Sequence, residues 1–403
     1  MGLSSIEQDA VERCAAEPML DQVLAWAAVN SGSRNLEGLA RMAALQADAF
    51  AALPGALELR GAEPVEAMAA DGSLEPIEHG RNLHVRVRPE APVQLLLTGH
   101  MDTVFGPDHP FQRVEWREPG EVLGGPGVAD MKGGLAVMLS ALKAVEASPA
   151  AERLGYEVVI NSDEEVGSPG SAALIAKAAR AKLAALTYEP SALPDGTLAG
   201  ARPGSGNFSI LVEGRSAHAG RNPEEGRNAL LAAADLALRL ASAKQPGLKV
   251  NPAKIDGGGP NNVVPERAVL RINLRPSTLA DQEAAQKAID ELAAAVAASH
   301  DVKIHVHGNF GRPPKPLDAR AQKLFELIRR CGSDLGQEIG WRDTGGVCDG
   351  NNIAACGVPV VDTMGVRGGA IHSDEEYLIV DSLVERAQLS ALALLRLAAG
   401  EDL

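Results

Sequence analysis

The order of the predicted elements changes partway along this chain of 403 residues and later changes back. From residue 84 to residue 189, apolar strands such as HVRVR (84–88) and VQLLLTG (93–99) alternate with helices such as 130–148, which predicts a largely parallel sheet. Between residues 207 and 310 the order becomes strand, helix, strand, strand, helix, strand, as in a split ferredoxin-like unit. The sequence therefore predicts an α/β domain that is interrupted by an inserted α+β domain.

This interruption sets the expected domain boundaries. We expect residues 1–204 and 314–403 to form the α/β domain, with a mixed, mostly parallel sheet, and residues 205–313 to form the inserted βαββαβ domain. The length of the chain is consistent with two domains. In the inserted domain, helices are expected over 228–243 and 279–299, and strands over 207–214, 247–255, 268–276 and 301–310.

Composition and charge exclude several classes of function. The chain carries 53 acidic and 38 basic residues, for a net charge of -15, and only 3% aromatic residues. Such a chain is a poor ligand for nucleic acid and is repelled by anionic membranes. Without a long apolar run or a signal-peptide pattern, we expect a cytoplasmic protein. Its four cysteines match no zinc or redox motif, which predicts reduced thiols at Cys14, Cys331, Cys348 and Cys356.

Histidines and carboxylates collect where the predicted strands end, and this edge of an open α/β sheet is where ligands bind. Taken singly, each has an ordinary explanation: Asp130 stands where a helix N-cap is expected, and the acidic run 163–165 could be a solvated turn. Taken together, they predict a metal site. The candidates are His100, Asp102, Asp130, Glu164, Glu165, Glu189 and His372.

Two histidines and several carboxylates fit two zinc ions better than one, provided that one carboxylate bridges the ions. His100 and Asp102 are two residues apart, so on a strand their side chains share one face and Asp102 can orient the imidazole. The adjacent Glu164 and Glu165 point in different directions. One of them can therefore bind a metal while the other acts as general base toward water.

Six segments, in chain order, resemble the successive motifs of the dinuclear zinc metallopeptidase family that includes glutamate carboxypeptidase, acetylornithine deacetylase, succinyl-diaminopimelate desuccinylase and the aminoacylases. They are LLLTGHMDTV, GGPGVADMKGG, NSDEEVGS, TYEPS, GRSAHAG and AIHSDEE. The resemblance implies a hydrolase with two Zn²⁺ per subunit, with Co²⁺ or Mn²⁺ as alternatives. It also implies that the inserted domain is a lid through which two copies dimerise.

The resemblance assigns a role to each candidate. It implies that His100 and Glu189 bind one zinc ion, that Glu165 and His372 bind the other, and that Asp130 bridges them. It further implies that Glu164 is the general base, that Asp102 supports His100, and that His218 stabilises the oxyanion, often from the partner subunit.

The same resemblance implies a set of substrate contacts. Asn262, in GGGPNNVVPE, matches a substrate-binding asparagine of the lid, although Asn261 fits the spacing equally well. Arg312, in NFGRPP, matches an arginine that grips the substrate α-carboxylate, and Gly345 and Gly346 match a glycine stretch that lines the pocket.

We therefore expect the chain to release an amino acid with a free carboxylate from a small peptide or an N-acyl amino acid, as a glutamate carboxypeptidase does. The loop SALPDGTLAGA after Glu189 lacks the lysine of glutamate-specific members, a role that Arg202 could take. One alternative is a deacetylase of N-acyl amino acids or acetylornithine. Another is a non-enzymatic relative that binds peptides.

Overall fold

The structure, a computed structural model, describes residues 2–401 and 403. Its α-helices in chain order are α1 (Ser5–Ala16), α2 (Met19–Ala27), α3 (Leu36–Phe50), α4 (Gly134–Glu146), α5 (Ala172–Ala179), α6 (Ala229–Ser242), α7 (Leu279–His300), α8 (Ala319–Asp334), α9 (Asp349–Ala355) and α10 (Ser382–Ala399). Its strands are β1 (Ala56–Arg60), β2 (Val65–Met68), β3 (Leu74–Ile77), β4 (Asn82–Val87), β5 (Val93–His100), β6 (Glu115–Glu118), β7 (Val122–Gly124), β8 (Leu154–Asn161), β9 (Ala184–Thr187), β10 (Leu198–Ala199), β11 (Ser205–Glu213), β12 (Leu248–Gly257), β13 (Arg267–Pro276), β14 (Lys303–Arg312), β15 (Trp341–Arg342), β16 (Val360–Val361), β17 (Gly368–Gly369) and β18 (Tyr377–Ile379).

A six-stranded sheet in the order β1-β4-β8-β5-β9-β16 forms the centre of the α/β part. The pairs β8–β5, β5–β9 and β9–β16 are parallel, whereas β1–β4 and β4–β8 are antiparallel. Apolar side chains of β5 enter a core on each face: Leu95 and Leu97 on one side, Leu96 on the other. Burial on both faces explains the continuous apolar run of this strand. The predicted mixed, mostly parallel α/β fold is confirmed.

The inserted segment forms a second sheet, in the order β12-β13-β11-β14, with antiparallel pairing throughout. Alternate residues of β11, among them Phe208, Ile210 and Val212, build a separate core that includes residues of α6 and α7. The order of elements is the predicted strand, helix, strand, strand, helix, strand. One face of this sheet is therefore covered by helices, and the other faces the α/β part of the molecule.

A hairpin of β2 and β3, which the sequence analysis did not predict, covers part of that second face. Met68 of the hairpin is buried against Leu211 and Val269 of the inserted sheet. Arg271 of the sheet donates a hydrogen bond of 2.9 Å to the Met68 carbonyl oxygen. The hairpin thus joins the two parts of the molecule on one side of the cleft between them.

The Ala/Leu-rich segment 20–53 contains most of α2 and all of α3, and residues 28–35 separate the two helices. Helix α3 begins at Leu36, where the Asn35 side chain accepts a hydrogen bond from Gly38. One local expectation is wrong. Asp130 is not an N-cap: its φ of -113° and ψ of 92° are not helical, and α4 begins only at Gly134. A β-carbon at residue 134 would lie 2.0 Å from the Tyr188 carbonyl oxygen, so glycine allows the helix to start against the end of β9.

All four cysteines are free of disulfide bonds in the structure, and Cys14, Cys331 and Cys348 are buried. Burial raises the pKa of the Cys14 thiol to about 12 and that of Cys331 to about 11, which makes both unreactive.

Among the described residues, none of the helices has both the length and the apolar character that a membrane crossing requires.

Candidate metal centre

Three neighbouring parallel strands deliver donor side chains to one edge of the central sheet. His100 is the last residue of β5 and lies in register with Asn161, the last residue of β8. Glu164 and Glu165 begin the turn that follows β8, and Glu189 lies two residues after β9. Because parallel strands end at the same edge, residues far apart in the sequence meet there.

The donor side chains form two groups that share one carboxylate. In the first group, His100 Nε2 lies 3.1 Å from Asp130 Oδ1 and 3.7 Å from Glu189 Oε2. In the second, His372 Nε2 lies 3.3 Å from Asp130 Oδ2 and 3.0 Å from Glu165 Oε2. Within each group the ligand atoms lie within 4.8 Å of one another. Each oxygen of Asp130 thus faces a different imidazole, which is the arrangement required of a bridging ligand.

Burial and the crowding of carboxylates shift the pKa values of these groups. Burial raises the pKa of Glu165 to about 8, with Asp130 adding to the shift, and burial raises the pKa of Glu189 to about 8. Burial lowers the pKa of His100, but the surrounding carboxylates outweigh it and hold the value well above normal. Hydrogen bonds to Asp130 and Glu165 raise the pKa of His372 to about 11. Carboxylates crowded in this way favour bound cations, so the residues fit a pair of divalent metals.

Asp102 contacts both His100 and the turn that carries Glu164 and Glu165. Its Oδ1 lies 3.4 Å from His100 Nδ1. Its carboxylate also accepts hydrogen bonds from Ser33 Oγ at 2.7 Å and from the backbone nitrogens of Glu164 and Glu165 at 3.1 and 3.2 Å. A single buried carboxylate therefore fixes both the imidazole and the turn that carries the two glutamates.

A second buried carboxylate, Glu376, holds the loop of Asp130. Glu376 Oε1 accepts hydrogen bonds from the backbone nitrogens of Ala129 and Asp130 at 2.9 and 3.0 Å, and Oε2 accepts one from Gly127 at 3.1 Å. Glu376 was not predicted from the sequence. It ends the run SDEE, in which nothing distinguishes it from the exposed Asp374 and Glu375.

Glu164 lies beside the donor groups and pairs with an arginine. Arg312 Nη2 lies 2.6 Å from Glu164 Oε1 and donates a hydrogen bond of 2.8 Å to the Glu164 carbonyl oxygen. Burial raises the pKa of Glu164 to about 7, against the opposing charge of Arg312. Arg312 is itself only 6% exposed. The contact of Arg312 with a substrate carboxylate stays a prediction. In the structure its guanidinium pairs with Glu164.

The donor groups open into a cleft of about 1800 Å³ between the α/β part and the inserted sheet. Three arginines line it, and two of them have a carboxylate partner: Arg312 as described, and Arg202, which pairs with Asp362 at 2.7 Å. Arg275 instead donates to Asn273 Oδ1 at 3.1 Å and to the Gly345 carbonyl oxygen at 3.2 Å. Arg275 was not predicted from the sequence, because an arginine in a strand reveals nothing of its partners.

The other predicted substrate contacts are divided. Gly346 lines the cleft, and its carbonyl oxygen accepts a hydrogen bond of 3.2 Å from Arg202 Nη1. Gly345 is not among the lining residues, and its carbonyl oxygen accepts a hydrogen bond from Arg275. His218 and Asn262 are exposed and lie outside the lining of this cleft. They are neighbours, because the Ala219 nitrogen donates to the Asn262 carbonyl oxygen at 2.9 Å.

Comparison with known proteins gives consistent results. The model of the family described as "Peptidase family M20/M25/M40" matches residues 96–396. Carboxypeptidase G2 of Pseudomonas sp. (strain RS-16) is 32% identical over 327 residues, which cover 80% of this chain and 78% of that protein. A succinyl-diaminopimelate desuccinylase of Hahella chejuensis is 26% identical over 328 residues, covering 76% of this chain and 83% of the relative.

Solved structures share the fold over nearly the whole chain. A tripeptidase from Staphylococcus aureus superposes with a TM-score of 0.70 at 22% identity, covering 97% of this chain and 99% of that one. An M20 family metallo-carboxypeptidase from Sulfolobus solfataricus gives a TM-score of 0.70 at 15% identity, covering 95% of this chain and 100% of that one.

Proposed function

The chain belongs to peptidase family M20/M25/M40 and is a metallohydrolase of peptide or amide bonds, and from that premise we propose that it releases an amino acid with a free carboxylate from a small peptide or an N-acyl amino acid. The observation that carries this proposal is the pair of donor groups that share Asp130, next to Glu164, in an open cleft. The name of the relative carboxypeptidase G2 supports the choice of a carboxypeptidase.

In this proposal, His100 and Glu189 hold one metal ion, Glu165 and His372 hold the other, and Asp130 bridges them. Imidazole and carboxylate donors suit zinc, and they also suit cobalt or manganese. When bound, two such cations polarise the scissile carbonyl and lower the pKa of the attacking water. Asp102 keeps the His100 ring in place, and Glu376 keeps Asp130 in place.

Glu164 acts as the general base. Its carboxylate accepts a proton from the attacking water and then delivers that proton to the nitrogen of the departing amine. Burial raises the pKa of Glu164, which makes its carboxylate a stronger base toward the attacking water. The ion pair with Arg312 orients the carboxylate and disfavours its protonation before the substrate binds.

We assign carboxylate recognition to Arg275. It is the cleft arginine, among those three, whose hydrogen bonds go to an amide and a backbone carbonyl rather than to a carboxylate. A guanidinium with neutral partners retains its attraction for an anion, and its planar fork suits a bidentate contact. Gly346 lines the same cleft without a side chain, which leaves room for the substrate beside it.

The inserted domain, residues 205–313, is proposed to serve as a lid and as the dimerisation surface. Leu231 and Leu238 lie one above the other on α6 with 60% and 70% of their surface exposed, an apolar stripe that a second copy could cover. Because His218 lies outside the cleft of its own chain, we propose that it reaches the oxyanion of the partner's site and donates a hydrogen bond there.

The test is hydrolysis by protein that has been stripped of metal and then reloaded with zinc, cobalt or manganese. The substrates are N-acyl-glutamate, N-acyl-alanine, N-acyl-alanine amide, a dipeptide and N-acetylornithine. We expect activity only with added metal, saturating at two ions per chain, and little hydrolysis of the amide because it offers Arg275 no carboxylate.

Other results would contradict parts of this assignment. A strong preference for N-acetylornithine would make the chain a deacetylase of that type. Equal rates on N-acyl-alanine and its amide would remove the role of Arg275. Full activity in metal-free protein would overturn the mechanism as a whole.

A further inference from the structure

Four asparagines form one row across the four strands of the inserted sheet. Asn251 on β12 is opposite Asn273 on β13, which is opposite Asn207 on β11, which is opposite Asn309 on β14. Residues directly opposite in antiparallel strands point to the same face. All four line the cleft, so their carboxamides form a polar strip on its wall.

The packing of the sheet does not explain this row. Asparagine is among the residues disfavoured in strands. The core of the inserted domain is supplied by the alternate positions, such as Phe208 and Ile272, which lie on the opposite face. Asn207, Asn251 and Asn309 are exposed to the cleft. Four carboxamides at matching positions therefore indicate recognition of a ligand rather than a need of the fold.

Most of the hydrogen-bonding capacity of the row is unused. Asn273 is the exception: its Nδ2 donates to Asn207 Oδ1 at 2.8 Å and to Ser205 Oγ at 3.0 Å, and its Oδ1 accepts from Arg275. Within residues 2–401 and 403, no hydrogen bond involves Asn207 Nδ2 or the side chains of Asn251 and Asn309. These groups offer both donors and acceptors to a ligand.

The row crosses the sheet two residues from Arg275 along β13, near the end of the sheet where Arg312 contacts Glu164. Arg312, which contacts Glu164, and Arg275 are near the same end of the sheet, and Asn273 is two residues from Arg275 along β13. Two residues of a strand span roughly 6.5–7 Å, about the reach of an amino-acid side chain. Further along the same face, Met68 of the hairpin covers Leu211 and Val269, which closes the strip.

We propose that the asparagine row recognises the side chain of the released amino acid and selects side chains that both donate and accept hydrogen bonds, namely carboxamides. The proposal rests on the proposed function, since it needs the substrate carboxylate at Arg275. A carboxamide has two donors and an acceptor, so it complements the free groups of Asn207 and Asn309. An aliphatic side chain of similar size would strip water from those groups without replacing its hydrogen bonds.

The test compares pairs of substrates of similar size: N-acetyl-glutamine with N-acetyl-methionine, and N-acetyl-asparagine with N-acetyl-leucine. We expect kcat/KM of the wild-type protein to favour each carboxamide by about fivefold to tenfold. In the double variant N207L/N309L, the ratio of kcat/KM for each carboxamide to kcat/KM for its aliphatic counterpart should fall to near one.

A matched control is Q286L, which removes an amide from α7, on the helical side of the inserted domain. It should keep the wild-type ratios. Both asparagines of the double variant are exposed, and an unchanged thermal midpoint will show that it folds.

A wild-type ratio near one, or a ratio that N207L/N309L leaves unchanged, would overturn the asparagine row while hydrolysis itself continued. Failure to hydrolyse any of the four substrates with zinc, cobalt or manganese would instead overturn the proposed function, and this proposal with it.

Discussion

The metal centre and the predicted residues of the inserted domain are held in opposite ways. Asp130 is buried, its two oxygens face two imidazoles, and Glu376 fixes its backbone from behind. His218 is exposed, and its Nδ1 accepts hydrogen bonds from Gly220 and Arg221 of its own loop, at 3.1 and 3.2 Å. The donor groups are thus assembled within one chain, whereas His218 lies outside the described residues that line the cleft.

This difference separates what one chain can do alone from what it needs another element to do. Buried carboxylates are costly without a counter-charge, so their loops must be fixed by further hydrogen bonds before any metal arrives. An exposed histidine carries no such cost and is free to serve a site elsewhere. We therefore expect metal binding to be a property of the single chain, and full activity to depend on closure of the lid or on a second copy.

The largest effect should come from Asp130→Asn, which removes the carboxylate that both donor groups share. We expect kcat/KM to fall by about 10⁴ or more and bound metal to fall below two ions per chain, because the amide cannot bridge two cations. Asp108→Asn, in an exposed loop, is the control and should bind metal and turn over as wild type. Elemental analysis and kinetics give the two quantities. If the variant kept two ions and more than a hundredth of the activity, Asp130 would not be the carboxylate on which both donor groups depend.

Glu164→Gln should separate chemistry from metal binding. The amide cannot accept the proton of the attacking water, so we expect kcat to fall by about 10³. The five donor side chains are untouched, so two ions per chain should remain. Elemental analysis and kcat measured on the same preparation check both parts. Loss of metal together with loss of activity would mean that Glu164 is a ligand rather than the base.

His218→Ala tests whether the exposed histidine of the inserted domain takes part in hydrolysis. Removing the donor to the oxyanion should lower kcat by about 10², with metal content unchanged. The sharper experiment mixes this variant with Glu164→Gln under conditions that allow subunits to exchange. If His218 acts in the partner's site, mixed dimers contain one complete site, and about a quarter of the wild-type activity should return. No recovery beyond the sum of the two variants would place His218 in its own chain's cleft.

The meeting of the candidate metal ligands at one sheet edge could be predicted, because several of them follow strands that the sequence makes visible. The apolar run before His100 identifies β5, and parallel neighbours must end at the same edge, which brings in Glu164, Glu165 and Glu189. The order of elements in the inserted segment was predictable for the same reason. Each of these inferences depends on periodicity within one segment, which a sequence shows directly.

The other features of the site depend on contacts between distant segments, which a local sequence pattern does not reveal. Asp130 was expected to cap a helix, but its backbone leaves the helical region, and its carboxylate faces His100 and His372. Which arginine is paired, Arg312 or Arg275, follows from the position of Glu164 across the cleft. The asparagine row depends on the register between strands, including the irregularity between Ser205 and Asn207, and spacing along the chain does not reveal register.

The smallest of the predicted effects tests whether the metal centre owes its order to residues that never touch a metal. Glu376→Gln keeps the shape of the side chain but replaces one carboxylate oxygen with an amide nitrogen. That nitrogen cannot accept a hydrogen bond, so either the bonds that Ala129 and Asp130 donate to Oε1 or the bond that Gly127 donates to Oε2 is lost. We expect metal affinity to fall by about tenfold, with kcat nearly restored at saturating metal.

Glu375→Gln is the matched control, since Glu375 is exposed and pairs with Arg117 at the surface. Titration of metal-free protein while activity is followed gives both quantities. If affinity were unchanged in Glu376→Gln, the Asp130 loop would hold its shape without Glu376, and the rigidity of the centre would have to come from the strand ends and Asp102 alone.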